Sequence, residues 1–245
     1  MSEKIHRFEK NCMRFYRITK NGQTIGEFPS ITTVLGETSD KSGLEEWRER
    51  VGESEADKIS ELSRHRGSVM HRLIELYKQL KGEKNERLTQ LKSLAKTDPE
   101  INEIPKEYHE DGWTFFYKFY NNSGAFFDQV LEVIAAEKFI WSKYGYAGTV
   151  DNVSKMINNR ILIIDYKNSR KPKKEAWVQD YFIQGSAYFI SIWERLGIKP
   201  DGVEIWIASE TEEIPQCFSL TTNDIKYYFQ QFINRLTQFN KKYND

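Results

Sequence analysis

The sequence predicts an α/β (α+β) protein, with a central mixed β-sheet flanked by helices behind an N-terminal β-hairpin and a helical annex. Two observations carry that expectation. From Asp111 onward the periodicities run helix, three strands, helix, two strands, helix. Inside that series, Thr149 to Ile157 and Arg160 to Lys167 read as two strands joined at Asn158-Asn159, which is type I′ turn chemistry.

The elements follow in chain order. Arg14 to Phe28 alternates around Lys20-Asn21-Gly22-Gln23, the pattern of a tight hairpin. Pro29 to Leu35 opens a short helix with hydroxyl caps, and Gly36 is placed to end it. A longer helical region runs from about Gly43 to Leu80, with Gly67 marking either close packing or a break. Lys81 to Glu107 is polar and reads as a mobile excursion holding a short helix near Leu88 to Leu94. The annex boundary falls there, giving residues 1–107 as hairpin and annex and residues 108–245 as the core of one integrated domain. Asp111 to Tyr120 is an aromatic-rich helix, and Val130 to Trp141 is a strand. Trp177 to Leu196 is a helix, Gly202 to Ser209 and Ile214 to Leu220 are strands, and Ile225 to Phe239 is a terminal amphipathic helix.

A chain of 245 residues with 39% hydrophobic and 29% charged residues is ordinary for a globular protein and excludes disordered and fibrous classes. The formal net charge of +0 means that nucleic-acid affinity would have to come from a local basic surface and metal ions. The two cysteines, Cys12 and Cys217, are far apart and exclude a four-thiolate zinc or iron–sulfur cluster made by this chain. The N-terminus lacks a signal-peptide core and no apolar run approaches a membrane span, so a cytoplasmic protein without a membrane partner is expected.

Alternation places Asp165 and Lys167 on one face of their strand with Tyr166 opposite, and folding the hairpin brings Asp151 near Asp165. Two crowded carboxylates repel unless one is protonated, paired with a base or bridged by a hard cation with oxygen ligands. A solvated strand end is the ordinary alternative for an isolated Asp-X-Lys.

Four ordered motifs weigh against that alternative: Gly67-Ser-Val-Met-His71, Gly148-Thr-Val-Asp151, Asp165-Tyr-Lys167 and Gln184-Gly-Ser-Ala-Tyr188. From Arg66 to Tyr188 the chain resembles the RecB-like branch of the PD-(D/E)XK nuclease superfamily. With Pro29 to Leu35, Trp47 and Lys171-Pro-Lys173 it is most similar to the mitochondrial genome maintenance exonuclease and related phage exonucleases. The family's Pro-Asp is Val150-Asp151 here, which leaves the carboxylate intact.

The resemblance implies a restriction-endonuclease-like core and a Mg²⁺- or Mn²⁺-dependent deoxyribonuclease without an iron–sulfur cluster. Asp151, Asp165 and the backbone carbonyl of Tyr166 would hold the metal, together with His71 from a helix over the sheet. Lys167 would position or deprotonate the attacking water or stabilise phosphoryl charge. Glu75, one turn after His71, could join the metal shell, orient the histidine or be solvated. Glu137, in an apolar strand, is a further candidate carboxylate. Gln184 and Tyr188 would reach the site backbone or DNA, or else form the polar rim of a helix. Arg170, Lys171, Lys173 and Lys174 form a basic loop, with Trp177 after it as a candidate base-stacking residue. The aromatics Trp113, Phe115, Phe116 and Tyr117 read mainly as core.

The resulting expectation is an exonuclease on single-stranded DNA ends or flaps, acting in replication, repair or recombination, with any helicase or recombination partner left open. A structure-selective or double-strand endonuclease and a catalytically inactive DNA-binding module are the alternatives.

Overall fold

The computed structural model describes residues 3–243. Three strands, β1 (Glu3–Lys10), β2 (Met13–Lys20) and β3 (Gln23–Pro29), form an antiparallel sheet. The expected hairpin is β2–β3, with Asn21 and Gly22 at positive φ in a two-residue turn. β1 adds a third strand through a second such turn, Asn11-Cys12, whose Cys12 gave no turn signal.

Ser30 caps helix α1 (Ile31–Thr38) by accepting the N–H of Thr33. Gly36 lies inside this helix, which closes two residues later. α2 (Ser42–Val51) turns at Gly52, φ 86°, into α3 (Glu53–Gln79), a continuous helix of 27 residues. Gly67 does not break it. The segment expected to be a mobile excursion is instead packed: α4 (Lys84–Ala95) and α5 (Pro99–Asn102) bury Leu91, Ala95 and Ile101. The short helix expected near Leu88 to Leu94 lies within α4, while the rest of α4 and α5 carry too few apolar residues among their charges to show a helical stripe. A 3-10 turn leads to α6 (His109–Asn121).

The main sheet has the order β4-β5-β6-β7-β8. Its strands are β4 (Val130–Ser142), β5 (Tyr146–Met156), β6 (Ile161–Ser169), β7 (Gly202–Ser209) and β8 (Gln216–Thr221). All neighbours are antiparallel except β6 and β7, whose parallel pairing requires the crossover helix α7 (Gln179–Leu196). α8 (Thr222–Tyr243) ends the described chain.

Alternation along the sheet separates two cores. Ile163, Val203, Ile205 and Ile207 face α1, α7 and α8. Leu162, Ile164, Tyr166 and Trp206 face α3 and α6, where Phe115 and Phe116 are buried and Trp113 and Tyr117 pack against them. Both cores draw residues from either side of position 107. The small sheet leans on the β4–β5 hairpin through Tyr16, Ile18, Trp141 and Ala147.

The turn between β5 and β6 departs from the expected type I′. Met156 pairs with Arg160 across a loop of Ile157, Asn158 and Asn159, in which only Asn159 has positive φ, 65°. This is a type I turn followed by a left-handed residue. It adds one residue to the loop and so sets the register of the two strands.

Two glycines make opposite predictions. A Cβ on Gly112 of α6 would meet Val69 Cβ at 2.4 Å, so Gly112→Ala should destabilise the fold by about 1–3 kcal/mol. Gly36 has open space around it in α1, so Gly36→Ala should stabilise by about 0.5–1 kcal/mol. Denaturant titrations of both variants check the pair.

Candidate active site

β5 and β6 pair from Lys155 opposite Ile161 to Asn152 opposite Ile164, and then part. Continued one step, that register sets Asp151 opposite Asp165. β6 keeps β7 on its other edge through Ser169 opposite Ser209, so it loses its ladder on one side only. Asp151 takes the vacated place: its Oδ2 accepts the backbone N–H of Tyr166 at 3.0 Å. A strand residue points its N–H and C=O to the same side, so the Tyr166 carbonyl also faces the gap.

Across β5, the pairs Ala136 with Asn152 and Lys138 with Val150 bracket Glu137, which lies opposite Asp151 but outside the ladder. Glu137 has φ 44°, a left-handed conformation that costs a non-glycine residue about 1–3 kcal/mol. Three neighbouring strands therefore bring Glu137, Asp151 and Asp165 into one row. From above the other face, α3 contributes His71, whose Nδ1 is 3.5 Å from Asp151 Oδ2. Ligand atoms of His71, Glu137 and Asp151 all lie within 4.8 Å of one another.

Asp165 stands outside that trio. It is 1% exposed, and Lys167 Nζ lies 2.5 Å from its Oδ2. That ion pair is its one close partner, and neither carboxylate oxygen makes a hydrogen bond of regular geometry among the described residues. Burial pushes Asp165 up to about 6 against the opposing pull of Lys167. Burial, and then the charges of Asp151, Glu75 and Asp165, push Glu137 up to about 8. Burial pulls Lys167 down, but Asp165 and Asp151 outweigh it and hold the ammonium above its ordinary value. The cluster is thus too negative for its degree of burial. An imidazole nitrogen, carboxylate oxygens and a backbone carbonyl around such a centre fit a hard divalent cation.

The motif around Gly67 positions the histidine. Arg66, 4% exposed, donates from Nε to Asn168 Oδ1 at 3.0 Å and pairs with Glu210. A Cβ on Gly67 would lie 2.5 Å from Asn168 Nδ2. α3 therefore seats directly on the residue after Lys167, and His71, one turn further on, reaches the gap.

The other expected residues divide. Glu75 is held by Arg72 at 2.6 Å, which also pairs with Asp98, while Glu75 lines the same cavity as His71 and Glu137 and its charge helps to raise Glu137. Gln184 and Tyr188 are buried, not a solvent-facing rim, and Gln184 Nε2 donates to the Tyr188 hydroxyl at 2.7 Å. Both line a cavity of about 260 Å³ with Asp151, Lys167 and Glu137. A larger cavity of about 480 Å³ opens on the α3 side and includes His71, Arg64 and Arg72. Arg170, Lys171, Lys173 and Lys174 line neither cavity. Their loop is fastened by Gln216, which accepts from the Lys173 N–H at 2.6 Å and donates to its carbonyl at 2.9 Å. Trp177 is 60% exposed, with Lys174 Nζ 5.3 Å from its ring centre.

Arg14, on β2, was not anticipated. It lines both cavities, and so borders the carboxylates on either side. No local pattern marks it, because its proximity to Asp151 arises only when the small sheet docks.

Comparison with known proteins accords with this geometry. The sequence profile of the PD-(D/E)XK nuclease superfamily matches residues 43–240. The chain belongs to the PD-(D/E)XK nuclease superfamily. Members of this superfamily typically use divalent metal ions. Among solved structures, a candidate exonuclease from Eubacterium rectale is similar at 16% identity and TM-score 0.43, covering 71% of this chain and 65% of that one. The present chain thus spans just under two thirds of that protein. SSO0001 is similar at 14% identity and TM-score 0.30, covering 66% of this chain and 73% of that one. No curated protein matches. Among the described residues of this nuclease, no helix is long and apolar enough to cross a membrane.

The raised carboxylates have a stability consequence. Glu137 titrates near 4.5 when unfolded and near 8 when folded, so folding takes up a proton between those values and stability falls as pH rises through that window. Without divalent ions, Glu137→Gln should therefore melt higher than the wild type at pH 8, with the advantage shrinking towards pH 5. Added Mg²⁺ at pH 8 should raise the wild-type melting temperature more than that of the variant. Thermal melts in chelator and in Mg²⁺ test both points.

Proposed function

We propose that this nuclease is a Mg²⁺- or Mn²⁺-dependent deoxyribonuclease that hydrolyses phosphodiester bonds from single-stranded DNA ends or flaps. The observation that carries the reading is that two open cavities share Glu137 and Arg14, one of them lined by His71 and the other by Asp151 and Lys167. His71, Glu137, Asp151, Asp165 and the Tyr166 carbonyl would hold the cation. When bound, it would polarise the scissile phosphate and acidify the attacking water.

The remaining steps belong to the chain's own groups. Lys167, kept as an ammonium by Asp165 and Asp151, would donate to a phosphoryl oxygen and orient the water instead of abstracting its proton. Arg14 and Arg64 would hold the strand's phosphates along the cleft. Gln184 and Tyr188, bonded to each other, would keep the α7 wall fixed beside Asp151. Glu75 would act through Arg72 on the cleft wall. The exposed Trp177 beside Lys174 favours a single strand, since an unpaired base can stack where a duplex base cannot. The RecB-like branch and kinship with mitochondrial and phage exonucleases form part of the same reading.

Two experiments test it. Asp165→Ala and Lys167→Ala should each lower cleavage of a linear single strand by about 100-fold or more while leaving the circular dichroism spectrum unchanged. Full activity in either would remove the assignment, and equal digestion of single-stranded circles would replace an exonuclease with an endonuclease. Separately, converting Lys171, Lys173 and Lys174 together to Ala should flatten the salt dependence of single-strand binding, by roughly 0.7 in log–log slope for each phosphate that the loop no longer neutralises. An unchanged slope would take the basic loop off the DNA path.

A further inference from the structure

A third cavity, of about 390 Å³, lies where the end of α3, the start of α4 and the first residues of β4 meet. Lys78, Lys81 and Arg87 line it, with Glu132 as its one acidic residue. None of the three bases forms a close ion pair among the described residues; a carboxylate within electrostatic reach of Arg87, Asp128, is held by Lys84 at 2.7 Å. Lys78 is held over the rings of Phe127 and Tyr166, at 5.1 and 5.7 Å from their centres. The Arg87 guanidinium lies 4.5 Å over the ring of Tyr77. Arg87 Nε and the hydroxyl of Tyr77 are buried without a hydrogen-bond partner, and Tyr77 as a whole is 2% exposed.

Buried donors and cations left without acceptors are destabilising, and native proteins keep few of them without a ligand to satisfy them. We propose that this cavity is a phosphate-binding site, in which Lys78 and Arg87 neutralise the charge and Arg87 Nε and the Tyr77 hydroxyl donate to phosphate oxygens. A tetrahedral oxyanion suits this donor set better than a carboxylate would, because donors converge from two helices instead of forming one planar fork. The dimensions accommodate a phosphate with the nucleotide attached.

Its position suggests what the phosphate belongs to. Lys78 follows His71 by seven residues, two turns of α3, so the two side chains share a helix face about 10 Å apart along the axis. The ring of Tyr166 contacts both, with the His71 ring centre 6.3 Å from its own. A strand with one linkage at the carboxylates could place a nearby phosphate in this cavity. That strand-borne source rests on the nuclease reading; phosphate binding itself does not, and a free phosphate or mononucleotide would use the same donors.

The test uses the whole chain in chelator, where binding is measured without cleavage and so stands or falls apart from the nuclease assignment. Inorganic phosphate should raise the melting temperature of the wild type. Single-stranded oligonucleotides ending in a phosphate should bind about tenfold more tightly than the same strands ending in a hydroxyl, as expected for a charged hydrogen-bonded contact. Arg87→Gln and Lys78→Met should each lose both effects, while Lys78→Arg should keep them and so separate loss of charge from loss of fold. Inorganic phosphate binding that the variants abolish, without any preference for phosphorylated ends, would support the site with free phosphate as its ligand. No phosphate effect on the wild type, or an equal effect on folded Arg87→Gln and Lys78→Met, would overturn the proposal.

Discussion

Asp151 accepts the N–H of Tyr166 at the point where β5 leaves β6, and the rest of the candidate site depends on that bond. A strand that loses its neighbour exposes unpaired backbone groups, which must find another partner. Here a side chain supplies it, so β5 can splay towards β4 and the small sheet without leaving the Tyr166 N–H unsatisfied. The splay creates the cavity, turns the Tyr166 carbonyl into it, and holds a carboxylate at its base. The same carboxylate then lies beside His71, Glu137 and Asp165, which makes the centre electrostatically unfavourable on its own.

That unfavourable charge is offset unevenly. Lys167 partners Asp165 at 2.5 Å, while no cationic side chain pairs with Glu137 among the described residues. Glu137 also carries the left-handed backbone, so strain and unbalanced charge fall on one residue. A divalent cation among the ligand atoms of His71, Glu137 and Asp151 would balance the charge. The supporting structure is stiff where this requires it: Arg66, Asn168 and Glu210 tie α3 to β6 and β7, and the missing side chain at Gly67 lets the helix approach closely.

Much of this was legible in the sequence, for reasons that can be stated residue by residue. Strand alternation placed Asp165 and Lys167 together, because a period of two depends only on local backbone geometry. The four motifs carried His71, Asp151 and Gln184. Glu137 could be suspected as an acid in an apolar strand, but nothing local marks its positive φ, which falls where the β4–β5 register is regular. Of α4 only a short helix near Leu88 to Leu94 was legible, and α5 not at all, because few apolar residues suffice to pack them. Arg14, the pairing of Arg66 with Asn168, and the unpaired bases near Lys78 all depend on contacts between distant segments, and nothing in their neighbours announces them.

The loop of Ile157, Asn158 and Asn159 acts as a ruler for the chemistry. Its three residues fix which side chains of β5 and β6 stand opposite each other, and Asn158-Asn159 could equally have closed a two-residue turn. A two-residue turn there, with Ile157 paired to Arg160, would slide the strands by a single step, set Asn152 against Asp165, and send Asp151 to the Tyr166 side of the sheet. The acid would still be encoded, yet it would point into the wrong core. In this chain the turn chosen roughly 20 Å away along the strand therefore matters to the site as much as the identity of the acid itself.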